Sequence, residues 1–300
     1  MTRVPKQESY RGTPIVVGTH FYDGGADAMR RQERAMDALA TLHDIVPVDL
    51  QWRPRPAHRP YLRVVASLTQ DSTTVTGAVG KAKPIASDVF DALAAVALAE
   101  GCSRFLFFNS DIVLTQAAID LARQPVDSCA FSRLDEDAEG QPLGMTVAGI
   151  DAFAIDVAWW RAHRLFFRPY ILGEGCWDNV YAAIVLTRGR GLIENRDGLT
   201  RHETHPAVWG AGPFAEHNGM LAALDARYFT LWAQYYHYLS AARARGASAD
   251  EERAIADATF VWKRSPVAAI RHAIRTLRTQ AKYRRRQSAW RQIPSTMGTP

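Results

Sequence analysis

From residue 14 to about residue 160, short apolar runs alternate with stretches whose apolar positions recur every three or four residues. Pro14-Ile-Val-Val-Gly-Thr19 reads as a first buried strand. Met29, Ala35 or Met36, Leu39 and Leu42 give residues 26–42 helical spacing. Residues 45–50 and 61–68 predict two more strands, parted by a loop in which Pro54, Pro56 and Pro60 prevent regular pairing. A second helix is expected to open near Pro84, bury Phe90, Leu93, Ala97 and Leu98, and end at Gly101. Phe105-Leu-Phe-Phe108 then runs without alternation, the pattern of a strand covered on both faces. Thr115 is placed to cap a short helix ending near Pro125, and residues 129–132 and 149–157 have strand composition. Gly191-Leu-Ile-Glu194 reads as a late strand. This alternation predicts an α/β domain with a mainly parallel, helix-covered sheet.

Past Pro213 the pattern turns helical. Residues 220–244 read as one long helix with Gly246 just beyond it, and Ser248-Ala-Asp-Glu251 has the form of a capping box for a second. Ser265-Pro266 places a cap and a first-turn proline before a third. The chain is therefore expected to divide into an α/β domain over residues 14–213 and a helical extension over 214–300.

Charge sharpens that division. The whole chain carries +5, but residues 263–300 hold ten Lys and Arg and no Asp or Glu. The first 262 residues are left with 26 basic against 31 acidic groups, or −5. In the tail, Ile270, Ile274, Leu277 and Ala281 recur at helical spacing among Arg271, Arg275, Arg278, Lys282 and Arg284 to Arg286. Such a segment is either a basic helix lying on an anionic membrane surface or a solvated helix packed on the α/β domain. Aromatic residues are too sparse there for a stacking platform, so nucleic acid is an unlikely partner.

Remaining composition narrows the class. No apolar run approaches the roughly 18 residues of a membrane span. The first residues lack the apolar core of a secretory signal, so the expected compartment is the cytoplasm, with peripheral attachment to the inner face of a membrane as the tail's option. Cys102, Cys129 and Cys176 are widely spaced, form no Cys-x-x-Cys pair, and fit reduced structural thiols. Neither a Gly-x-Gly-x-x-Gly fingerprint nor a Walker loop nor Gly-x-Ser-x-Gly is present, which disfavours dinucleotide binding, P-loop chemistry and hydrolase chemistry.

Three segments carry candidate chemistry. Asn109-Ser110-Asp111 follows the Phe-rich strand, where open α/β sheets bind ligands, and a carboxylate there suits a hard divalent cation held against phosphate oxygens. Gly173-Glu-Gly-Cys-Trp-Asp-Asn179 precedes a helix-compatible run, which puts Asp178 or Asn179 at a helix amino end. An ionised carboxylate there can deprotonate an acceptor hydroxyl, with Glu174 as the reserve. Trp177 is placed to stack on a sugar face. In Arg201-His-Glu-Thr-His-Pro206, His202 or His205 offers a neutral imidazole to a Mn²⁺-like ion.

Asn109-Ser110-Asp111, its position after an apolar strand and the order of the preceding elements resemble the Asp-x-Asp region of GT-A-fold, family 2-like nucleotide-sugar glycosyltransferases. The resemblance spans roughly Pro14 to Pro213, with Asn109 standing where the first Asp of that motif would be. It implies that Asp111 binds Mn²⁺ or Mg²⁺ bridging the donor phosphates, that a late histidine adds a ligand, and that Thr19 and His20 lie at the nucleoside. Asp71 and Lys83 are further candidates for ribose or phosphate. The implied activity is transfer from a nucleotide-diphosphate sugar to a glycan or lipid-linked acceptor, with inversion at the sugar. Two alternatives stand beside it: a sugar-phosphate nucleotidyltransferase, whose Gly-rich basic first loop is missing here, and a non-catalytic membrane- or nucleic-acid-associated protein.

Overall fold

The computed structural model describes residues 13–124, 126–189, 191–194, 198–206, 212–260 and 266–290. Among these, nine strands join in one sheet: β1 (Ile15–Thr19), β2 (Ile45–Gln51), β3 (Arg63–Ala66), β4 (Arg104–Phe108), β5 (Ile112–Leu114), β6 (Ser128–Glu136), β7 (Pro142–Asp156), β8 (Leu192–Glu194) and β9 (Thr200–Glu203). The helices are α1 (Ala26–Leu39), α2 (Ser72–Thr76), α3 (Ala86–Ala99), α4 (Gln116–Ala122), α5 (Val157–His163), α6 (Trp177–Arg188), α7 (Pro213–Leu224), α8 (Ala226–Arg243), α9 (Ala249–Phe260) and α10 (Pro266–Trp290). Strand order is β3-β2-β1-β4-β7-β6-β9-β5, with β8 also paired to β6.

β1, β2, β3 and β4 pair in parallel, as the strand–helix alternation predicts. Beyond β4 the rule changes. β7 runs antiparallel to both β4 and β6, and β5 runs antiparallel to β9. The sheet is thus mixed: parallel pairing holds for β1 to β4 and returns where β6 meets β8 and β9, while β7 and β5 break the expected mainly parallel arrangement. The cause is local: residues 137–141 turn β6 straight back into β7, with Asp137 accepting from the Glu139 and Gln141 amides. A tight turn can only join antiparallel neighbours.

The unalternating run of β4 is explained by burial on both sides. Phe105 and Phe107 enter one apolar cluster, while Leu106 and Phe108 enter the other. Phe90 of α3 sits against Phe105, Phe107, Phe153, Trp160 and Tyr181, with ring centroids 5.1 to 5.8 Å away. Trp232, Tyr235, Leu239 and Phe260 of the helical extension join that same cluster, so the extension closes the core of the α/β layer.

The helix expected over residues 220–244 is two helices. Its break falls at Asp225, which is buried and accepts from Arg168 Nε at 2.8 Å and the Tyr170 hydroxyl at 3.1 Å. Those bonds tie the α7–α8 corner to the loop after α5. The capping box is present: Ser248 N donates to Glu251 Oε2 at 2.8 Å, and Glu251 N donates to Ser248 Oγ at 3.3 Å. Ser265, expected to cap α10, lies outside the described residues. Among the described residues no helix is long and apolar enough to cross a membrane.

Candidate active site

Past Phe108 the chain makes a tight turn, closed by Ile112 N donating to Asn109 O at 3.0 Å. Register then decides what faces Asp111. β5 pairs antiparallel with β9 so that Ile112 lies opposite His202, and β9 pairs with β6 so that Asp135 lies opposite His202 as well. His205 Nε2 comes within 3.2 Å of Asp111 Oδ2, and His202 Nε2 within 3.7 Å of the same oxygen. One ligand atom from each of Asp111, His202 and His205 lies within 4.8 Å of the others. The three residues expected as metal ligands are therefore brought together.

The donor set fits a divalent ion, and the surroundings orient it. His202 Nδ1 is 3.0 Å from Asp135 Oδ1, so Nδ1–H donates to the carboxylate and Nε2 is left facing Asp111. A carboxylate behind a histidine in this way fixes the tautomer of a metal ligand. Two imidazoles with one carboxylate suit Mn²⁺-like ions better than Mg²⁺, which prefers oxygen. Burial alone would raise the pKa of Asp111, but the His205 hydrogen bond and the charge of both imidazoles outweigh it and lower it. Asp135 follows the same logic: burial opposes ionisation, yet bonds from His202 and Thr146 and the charge of Arg133 bring it down to about 2.

On the other side of the turn lies Asp178, in the first turn of α6. Gly173 (φ 73°) and Cys176 (φ 79°) take left-handed conformations just before it, which swings the helix start back toward β7. Ile150 N points at Asp178 Oδ2 across 3.4 Å. The neighbouring Asp151 is bonded to the metal-side turn: its Oδ1 accepts from Asn109 Nδ2 at 2.5 Å, and its carbonyl accepts from Asn109 N at 2.8 Å. Asp178 keeps partial solvent access, yet burial, and then the like charge of Asp151, push its carboxyl up to about 7. Asn109, the departure from an Asp-x-Asp pattern, thus serves as a clamp on Asp151.

Arg133 joins the two sides. Its Nε donates to Asp135 Oδ1 at 2.9 Å and its Nη1 to Asp151 Oδ2 at 2.7 Å. Burial would lower its pKa, but Asp151 and Asp135 more than reverse that, so the guanidinium stays charged. A continuous polar chain runs from His202 through Asp135, Arg133 and Asp151 to the edge of Asp178.

Several expected site residues do other work. Trp177 is a correction: it is 3% exposed, with ring contacts to Phe107, Phe153 and Tyr181 at 5.7 Å, so no face is left for a sugar. Glu174, the reserve base, is buried and paired with Lys83 Nζ at 2.6 Å, which occupies both groups and fastens two loops together. Asp71 caps α2, accepting from both the amides and the hydroxyls of Thr73 and Thr74. Burial would raise its pKa, but those four bonds lower it. Thr19 is buried at the end of β1, and His20 donates from Nδ1 to Leu50 O at 2.7 Å and lies edge-on to Trp52. Burial lowers the His20 pKa and keeps the ring neutral. Ser110 is partly exposed in the turn between Asn109 and Asp111.

Other residues come into view only here. Asp49, fully buried, accepts from Phe21 N, Gln51 Nε2 and Arg55 Nη2 beyond the end of β1. Tyr22 and Arg31 lie within electrostatic reach of the metal side. After burial, the charge of Asp111 raises the Tyr22 pKa, and Arg31 acts against the raised pKa of His205, whose largest cause is its bond to Asp111. The Arg31 side chain is 14% exposed, and its Nη1 lies 4.0 Å from Glu203 Oε1. Asp151 could have been suspected from the sequence, because a carboxylate inside Gly149-Ile-Asp-Ala-Phe-Ala-Ile155 interrupts a core strand.

No protein-family model and no curated protein matches the chain. A solved structure from Desulfovibrio desulfuricans G20, provisionally assigned as a nucleotide-diphospho-sugar transferase, is similar over 49% of this chain and 64% of its own, at 14% identity and a TM-score of 0.31. The match spans less than two thirds of that protein, and a likeness of this size decides neither fold nor activity. The functional argument rests on the geometry above.

Proposed function

We propose that this protein is a GT-A-like, family 2-like glycosyltransferase that moves a sugar from a nucleotide-diphosphate sugar to the hydroxyl of a glycan or lipid-linked acceptor. The observation that carries the reading is the convergence of Asp111, His202 and His205 at the carboxyl end of a central strand, one hydrogen-bonded step from the surroundings of Asp178. When bound there, Mn²⁺, or less favourably Mg²⁺, would neutralise the charge that develops on a departing nucleoside diphosphate.

The chain's own residues divide the remaining work. Asp111, His202 and His205 hold the ion, and Asp135 keeps His202 in the coordinating tautomer. Arg31 supplies a second positive charge for diphosphate oxygens. Asp178 takes the proton of the acceptor hydroxyl as its oxygen bonds to the anomeric carbon and the bond to the diphosphate oxygen breaks with its electron pair. That is direct displacement with inversion. A base with a pKa near the working pH is half ionised when resting and still strong enough to accept a proton. Asn109 and Arg133 hold Asp151 beside this base.

Thermal melting with a panel of nucleotide-diphosphate sugars, with and without Mn²⁺, tests the reading. One donor should stabilise the protein only when the ion is present, because a ligand selective for the native state raises the melting temperature. No stabilisation by any donor with Mn²⁺ would refute it.

A further inference from the structure

α10 is docked by the wrong face for an ordinary amphipathic helix. Among its described side chains, Thr276, Thr279, Gln280 and Tyr283 are the partly buried ones. The Tyr283 hydroxyl lies 2.9 Å from His217 Nδ1 on α7, and His217 Nε2 lies 3.0 Å from Pro169 O. Placed around a helix at about 100° per residue, those four positions fill an arc of about 100°. Val267, Ile270, Ile274 and Leu277 fill another arc of about 80°, centred roughly 150° away from the docked one. They are 58%, 62%, 47% and 65% exposed. Arg271, Arg278, Lys282 and Arg285 border this stripe on one side and Arg284 on the other, all exposed. A surface helix normally turns its apolar stripe toward the protein. Here, among the described side chains, polar ones make the contact, and Val267, Ile270, Ile274 and Leu277 point outward within a cationic frame.

We infer that the outward face of α10 is a docking surface for an anionic lipid bilayer. Charge complementarity selects this occupant: the helix contains seven Lys and Arg and no Asp or Glu. A second copy of the chain would bring two such cationic faces together, and a nucleic acid backbone would leave the four aliphatic side chains without a partner. Anionic headgroups and the acyl boundary beneath them satisfy both features at once. The stripe from Val267 to Ala281 runs about 21 Å, enough for a helix lying flat in the interface.

Docking there also has a direction. Asn218, next to His217 on α7, bonds Ile171 N at 2.8 Å, Ile171 O at 3.0 Å and Gly175 O at 3.1 Å, in the loop that delivers Asp178. The membrane face is therefore one helix away from the candidate base, which suits a lipid-linked acceptor. This orientation rests on the transferase reading, whereas bilayer binding does not.

Cosedimentation of the full chain with phosphatidylcholine vesicles, with and without phosphatidylglycerol, is the test. Binding should require the anionic lipid and weaken with salt. Ile274→Ser with Leu277→Ser should weaken it at least about tenfold, and Arg271→Gln with Arg278→Gln roughly 30-fold. Both pairs are surface changes, so the melting temperature should stay put, which separates lost docking from lost folding. Absent binding, or equal binding to both vesicle types, would overturn the inference. So would full retention by the Ile274/Leu277 variant together with displacement of vesicles by duplex DNA, which would mean adsorption by charge alone. A dimer abolished by that variant, without vesicle binding, would assign the face to a second copy and overturn it equally.

Discussion

Asp111 and Asp178 are both partly exposed carboxylates at the same end of the sheet, yet their surroundings drive them in opposite directions. Asp111 faces two imidazoles, which overcome its burial and favour the ionised form. Asp178 has no ion pair to a cation among the described residues, sits against Asp151, and is pushed up to about 7 by burial and that like charge. Carboxylates whose environments separate their pKa values suit separate roles, and on the proposed reading the one that stays charged is the ligand and the other exchanges a proton. Arg133 lets the two regions coexist. It satisfies Asp151, which would otherwise be an unpaired charge, and through Asp135 it steadies His202.

The sharpest way to break this comparison is Asp178→Asn. Turnover should fall by about 10² to 10⁴, while Mn²⁺-dependent stabilisation by the donor stays intact, because the metal side is untouched. Normal turnover in this variant would remove Asp178 from the mechanism. Stability supplies an independent readout. A carboxyl whose folded pKa lies above its unfolded one favours folding most below the unfolded value and loses that contribution as pH rises through about 7. Asp178→Asn should therefore melt higher than the parent at pH 8, with the gain vanishing near pH 4.

Smaller effects should fall on one side at a time. Asp135→Asn leaves His202 in place but weakens its orientation, so Mn²⁺ affinity should drop about 10- to 100-fold. Isothermal titration with Mn²⁺ measures this, and unchanged affinity would remove Asp135 from the metal site. Asp151→Asn removes the like charge beside Asp178. In the parent, kcat/KM should rise with pH and level off above about 7, as Asp178 ionises. In the Asp151 variant the midpoint should move to lower pH, while the midpoint for Asp135→Asn stays where it was.

Legibility in the sequence follows the same division. The metal side could be read, because Asp111 ends an unmistakable buried strand and two histidines near a late strand are conspicuous residue types. The reason they meet could not be read. Thr200–Glu203 is too short and polar to announce itself as a strand, and only its pairing with both β5 and β6 sets His202 opposite Asp135. Asp178 was visible through its place before a helix, but its raised pKa comes from Asp151 and from burial, neither of which is local. Arg133 and Asp135 share one face of β6, and that face becomes meaningful only once β7 folds back on it. The polar contacts forecast for Asp71, Lys83 and Glu174 went instead to neighbouring threonines and to each other. Such local pairing is the commonest fate of loop charges, and sequence spacing does not distinguish it from ligand binding.

Trp177 gives the finest cut, because it adjoins Asp178 in sequence but points the other way. Its indole closes the layer between β4, β7 and α6, and the same turn of helix sends Asp178 toward the site. Trp177→Phe keeps an aromatic ring and leaves a void, so the protein should lose about 1–2 kcal/mol of stability in a urea titration. On the proposed reading donor and acceptor KM should not move, since the ring is buried among Phe107, Phe153 and Tyr181. A small drop in kcat is expected from a looser start to α6, and it should track the loss of stability. Were the acceptor KM instead to rise more than about tenfold at unchanged stability, the indole would have to reach the sugar, and the division between core and site drawn at residue 177 would fail.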